Sequence, residues 1–117
     1  MNIPQETKVW GKVRHVFGSE VCAVSILEVE KGFRRSKHYH ENRINRFIVH
    51  SGIIEVILHD QGTRHSLGTG DVFDVEPGAL HSFEVIESGI IVEIYWSPPV
   101  RQDDIIRMEL GGKIETG

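Results

Sequence analysis

Between Lys8 and Trp96 nearly every segment is a short run rich in Val, Ile and Phe, bounded by Gly, Pro, Asp or Asn. Runs of this kind are the pattern of β-strands, because β-branched and aromatic side chains fit a pleated, half-buried surface. Helical spacing is scarce. The pattern predicts strands at 8–17, 20–30, 33–38, 44–50, 53–59, 63–67, 71–75, 81–86 and 89–96. Ser51-Gly52 separates FIVH from IIEVILH, and a glycine able to take positive φ predicts a tight hairpin turn there. Asp60-Gln61-Gly62 predicts another turn.

A chain of 117 residues suits one core, so residues 1–117 are read as a single domain with 97–117 as a polar C-terminal tail behind Pro98-Pro99. Apolar residues at 39% and charged residues at 26% exclude a collagen-like or strongly disordered chain. The net charge of −4 provides no global positive field for nucleic acid or an anionic membrane surface, so neither partner is expected. The single cysteine, Cys22, builds no intrachain disulfide, and the N-terminus lacks an apolar core of signal-peptide length; both lead us to expect a cytoplasmic protein. The run VCAVSILEV is apolar on both alternating faces, which predicts a homodimer that covers one of them.

His38 and His40 stand one residue apart. On a strand both side chains project from one face, about 6 to 7 Å apart at the backbone, so the two imidazoles are able to converge on one ion. Imidazole suits zinc, manganese, iron, nickel and copper alike, so the pair defines a metal class and not a metal. Glu41 lies an odd number of residues from both and is read as a solvated turn residue. His15, His50, His59 and His65 stand apart and are read as surface or packing residues, with Trp10, Trp96 and Phe83 as core.

The stretch GFRRSKHYHENRINRFIVHSG, from Gly32 to Gly52, resembles the first cupin motif: a Gly, five residues, HxH, a spacer, Glu, six residues and Gly. GDVFDVEPGALH, from Gly70 to His81, is similar to the second motif, with Glu76 in place of its first Pro. The resemblance implies an all-β cupin fold, a double-stranded β-helix or jelly-roll barrel. It also implies a divalent metal (Zn, Mn, Fe or Ni) held by His38, His40 and His81. Asn45 occupies the position of the usual metal-binding Glu, so a neutral amide oxygen replaces a carboxylate there. It either ligates weakly or holds a metal-bound water.

Within the cupins the chain looks most like the small barrel of the phosphomannose isomerases and of the mannose-phosphate guanylyltransferase C-terminal domains. Lys8-Val9-Trp10-Gly11 resembles their KPWG element, and Ser36, His38, His40, Arg43 and Asn45 fall on their SLQxHxxRxE strand, with His38 replacing Gln. VEIYWSPPVRQDDIIR is similar to their IEVQ and EDDIVR segments from Glu93 to Arg107. The implied activity is isomerisation or epimerisation of a sugar or sugar phosphate, a small-molecule ligand. Arg43 and Arg107 are then the residues that reach substrate, and an inward Glu93 is either a general base or a structural hydrogen-bond acceptor. Arg34, Arg35, Lys37, Arg43 and Arg46 form a cationic cluster able to recruit an anion. Two other classes stay open: a three-histidine metal dioxygenase, and a non-enzymatic module that binds a sugar or nucleotide sugar.

Overall fold

The computed structural model describes residues 4–97, and within them it contains strands and no helix. Eight strands follow one another: β1 Gln5–Lys8, β2 Gly11–Gly18, β3 Cys22–Val29, β4 Arg34–His38, β5 Ile44–Leu58, β6 Thr63–Leu67, β7 Val72–Val75 and β8 His81–Trp96. Every pairing is antiparallel. The all-β expectation therefore holds, as a jelly-roll arrangement.

β5 and β8 run side by side for nearly their whole lengths, and each contributes to both halves of one folded eight-stranded sheet. The Ile44–Ser51 part of β5 pairs with the Ile90–Trp96 part of β8, flanked by β7 on one side and by β3, β2 and β1 on the other. The Ile53–Leu58 part pairs with His81–Glu87, flanked by β6 and β4. Two changes to the predicted elements follow. The Ser51-Gly52 hairpin is absent: 44–50 and 53–59 are one bent strand, and so are 81–86 and 89–96. Conversely, Lys8 ends a short strand of its own, with Val9-Trp10 as a turn between β1 and β2.

Glycine still matters at the bend, for a different reason. Gly52 has φ +84°, and a Cβ there would lie 2.7 Å from the Glu87 carbonyl oxygen. A Cβ on Gly89 would lie 2.1 Å from the Ser51 carbonyl oxygen. The two strands cross too closely for side chains, and the register shifts on both sides of Gly52 are the bulges that bend the ladder between the two halves of the sheet.

Inward residues alternate along the strands. Leu27, Phe47, Val49, Ile54, Val56, Phe83 and Ile91 form the apolar core, closed by Trp10, whose ring meets Phe83 edge-on at 5.8 Å. At one end the inward positions turn polar: Ser25, Asn45, His81 and Glu93 are all buried. The opposite face of β3 carries Val24 and Ile26, half-buried, as the doubly apolar run leads one to expect.

Gly89→Ala should lower stability by about 3 kcal/mol, the upper range for backbone strain and overpacking, whereas Gly68→Ala, whose Cβ meets nothing within 4 Å, should change it by under about 0.5 kcal/mol. Urea denaturation midpoints of the two variants test this.

Candidate functional site

The polar end of the core brings together all four residues expected to ligate a metal. β4 ends at His38, which sits directly across from His81, the first residue of β8. His40 is not on that strand but in the loop that follows, where the Gly78 N–H donates to its carbonyl oxygen at 2.7 Å. That bond ties the first motif to the second, and Gly78 makes the turn with φ +81°. Asn45 enters from β5 and is 1% exposed. The His38 and His81 rings are 4.2 Å apart between centroids, His38 and His40 5.2 Å, and His40 and His81 6.2 Å.

Hydrogen bonds assign the tautomers. The Nδ1–H of His81 donates to the Ala79 carbonyl at 2.8 Å, and that of His38 to the Ser36 carbonyl at 3.2 Å. Each Nε2 then carries a lone pair. Burial pushes the three imidazoles toward the neutral form, His81 down to about 4, with its neighbours' rings adding to the effect. The Asn45 amide donates from Nδ2 to Glu93 Oε2 at 3.3 Å, which turns Oδ1 toward His81 Nε2 at 3.0 Å. Two lone-pair atoms therefore face each other, while the buried Nε2 atoms of His38 and His40 have no partner at all. Unmet acceptors of this kind call for a cation, and backbone carbonyls on the far nitrogens are the usual way a ligating imidazole is oriented. The donor set fits a borderline divalent transition metal. Among the described residues, no three His, Cys, Asp or Glu side chains are drawn together at ligating distances. The rings are neighbours whose side-chain torsions set where each Nε2 points.

Behind Asn45 lies a buried ion pair. Arg35 donates from Nη1 to Glu93 Oε2, and its Nη2 is 3.4 Å from the Tyr95 hydroxyl. Desolvation works against the Arg35 charge, but Glu93 and Tyr95 outweigh it and hold the guanidinium above its ordinary range. Burial, then the Glu93 charge, pushes the Tyr95 phenol well above its usual range, so it stays protonated. The guanidinium also lies 5.5 Å from the Trp10 ring centroid and 5.9 Å from that of Phe83.

A cavity of about 410 Å³ opens beside this group, with His40, Arg43, Glu93 and Tyr95 on its walls. Arg43 donates from Nη2 to the Glu20 carbonyl at 3.2 Å. His15 lines the same cavity from β2, beside Ser25 of β3: its Nε2–H donates to Glu6 Oε1 at 3.0 Å, leaving Nδ1 to accept from the Ser25 hydroxyl at 3.2 Å. A larger groove of about 810 Å³ runs past Val9 and Phe33 on the outer surface and touches none of these histidines.

The 25–98 segment matches the cupin domain profile. The chain belongs to the cupin family. Solved cupin-fold structures agree with it closely in shape. KdgF from a Halomonas species has 20% identity and a TM-score of 0.70, over 86% of this chain and 90% of that one. An RmlC-like cupin from Shewanella frigidimarina has 21% identity and a TM-score of 0.69, over 88% and 89%. Bacillus subtilis oxalate decarboxylase, a protein with Mn(II) centres, has 20% identity and a TM-score of 0.72, over 87% of this cupin but 29% of that chain. At these identities the likeness is one of fold. No curated protein matches the sequence.

Of the other residues singled out in the sequence, Arg43 and Glu93 reach the cavity, while Arg107 lies outside the described residues. The cationic cluster disperses: Arg34 and Lys37 are exposed, Arg46 makes a two-bond pair with Asp74 on the outer face, and Arg35 goes inward. Arg35 is the residue the sequence hid. A register shift between Arg35 and His38 lets both face inward although they stand three positions apart. Ser25 was more visible, a polar side chain in phase with Leu27 and Val29.

The depressed His81 pKa has a consequence for metal-free protein. The unfolded chain takes up the proton near 6.5 and the folded chain only near 4, so the unfolded state is favoured as pH falls through that window. Chelator-treated protein should lose about 3 kcal/mol of stability between those limits, and His81→Gln should flatten part of the slope, as read by urea denaturation at a series of pH values.

Proposed function

We propose that this cupin holds one divalent transition metal on His38, His40 and His81, with Asn45 Oδ1 as a fourth ligand, and acts on a sugar or sugar phosphate as an isomerase or epimerase. One observation carries the metal reading: lone-pair atoms of four side chains gather at the polar end of the core, two of them without any partner, and one of the four, His40, also lines a small cavity. A bound ion of this class supplies Lewis-acid polarisation of neighbouring hydroxyl and carbonyl oxygens.

The protein's own residues supply the rest. About 410 Å³ admits a small metabolite and not a polymer. Arg43 spends one nitrogen on the Glu20 carbonyl, and the rest of its fork is suited to a phosphate or carboxylate oxygen. Tyr95, kept protonated, donates a hydrogen bond toward substrate oxygen. Glu93 already accepts from Arg35 and Asn45 on one oxygen, which favours the structural role over that of a general base. His15, oriented by Glu6 on the wall of the same cavity, is the better placed proton carrier. The match of Trp10-Gly11, Arg43 and the Glu93 strand to phosphomannose isomerases favours isomerisation over oxygen chemistry. Half-buried Val24 and Ile26 support a homodimer through the outer face of β3.

Purified protein should carry about one transition metal per chain by plasma mass spectrometry, and His38→Ala combined with His40→Ala should abolish it. Metal-free protein after reconstitution with Zn, Mn, Fe and Ni would refute the metal reading. Incubation with aldose and ketose phosphates, followed by proton NMR with an oxygen electrode in parallel, tests the reaction. Interconversion without oxygen uptake is expected, with Arg43→Ala raising KM about tenfold. Oxygen uptake would transfer the site to dioxygenase chemistry, and binding without turnover to a sugar-binding module.

A further inference from the structure

Resting on the metal reading above, we infer that Arg35 and Glu93 are a positioning pair that locks the Asn45 amide with its carbonyl oxygen toward the three histidines. A side-chain amide has two orientations that differ by exchanging an acceptor for a donor. Here they are far from equivalent. In the observed one, Nδ2 donates to Glu93 Oε2 at 3.3 Å and Oδ1 faces His81 Nε2 at 3.0 Å. In the other, the amide oxygen would face the carboxylate and the NH₂ group would face the ligand site, where it has no lone pair to offer.

The lock depends on Glu93 accepting from the amide, and Arg35 donates to the same carboxylate oxygen. Arg35 is itself held between that carboxylate, Tyr95 and the Trp10 and Phe83 rings. Glu93 and Asn45 are 2% and 1% exposed, so water has little chance to replace either partner. In this way a neutral amide is made to present a fixed oxygen where cupins commonly present a carboxylate. The negative charge has moved one residue back, where Arg35 balances it. The ligand set His38, His40, His81 and Asn45 is then uncharged, and a bound dication keeps its full charge for an anionic substrate.

The test is Co²⁺ binding to the full chain, by calorimetry and by visible absorption, in four proteins: wild type, Glu93→Gln, Asn45→Asp and the double variant. Glu93→Gln gives position 93 a donor and frees the Asn45 amide to turn, so Co²⁺ affinity should fall about 10-fold or more. In the Asn45→Asp background there is no amide to orient, and two facing carboxylates repel. There the same Glu93→Gln change should leave affinity unchanged or raise it. A merely structural role for Glu93 predicts equal losses in both backgrounds, and that outcome would overturn the inference. Wild type that binds no Co²⁺ would remove the metal reading and this inference with it. A second measurement serves if Glu93→Gln does not fold: in wild-type protein by NMR, the Asn45 side-chain amide protons should exchange with solvent slowly. Exchange at the rate of an exposed amide would refute the lock directly.

Discussion

The long β5–β8 ladder organises this molecule. Both strands serve in both halves of the sheet, and they do so because Gly52 and Gly89 let the backbones cross at a distance no side chain tolerates. A sheet that bends on its two central strands encloses its own interior. Phe47, Val49 and Ile91 line one half of that interior and Ile54, Val56 and Phe83 the other, and the polar inward positions lie toward the ends of the two strands. His81 begins β8, Glu93 and Tyr95 lie near its other end, and Asn45 is near the start of β5. The site is thus built mainly on the two strands whose geometry is most constrained, which is where small displacements of a ligating group are hardest to make.

Burial accounts for the character of the site. Taking imidazoles out of water favours the neutral form, the one that offers a lone pair. The same environment would be costly for a carboxylate without a cation, and Glu93, the one buried carboxylate among the described residues, has one in Arg35. Histidines kept neutral, an amide kept in one orientation and a charge pair kept net neutral together describe a candidate ligand set without net charge, and Arg43 on the cavity wall beside it adds positive charge. Such a ligand set suits an ion that brings its own charge.

Much of this was legible in the chain. The alternation of short β runs declared the fold class, and the spacing of His38, His40 and His81 within two glycine-bounded motifs declared the metal-site candidates. Boundaries were less legible. Ser51-Gly52 reads as a hairpin because glycine at positive φ is what a hairpin uses, and the same torsion also serves a bulge. Nothing local distinguishes the two, since the difference lies in whether the following strand folds back on β5 or continues toward a partner near Gly89. Arg35 was hidden for a related reason: parity along β4 places it opposite His38 until a register shift against β8 reverses the count.

Sequence by itself determined the β architecture, through period-two patterning, and named the candidate ligands, through the resemblance of two short stretches to the cupin motifs, because both are local properties of the chain. Tertiary structure alone decided which way the Asn45 amide points and that Arg35, rather than solvent, answers Glu93. It also decided that His15 and Glu6 share one cavity with His40. Those relations join residues from five different strands, at separations set by sheet register and curvature, and no local pattern carries that information.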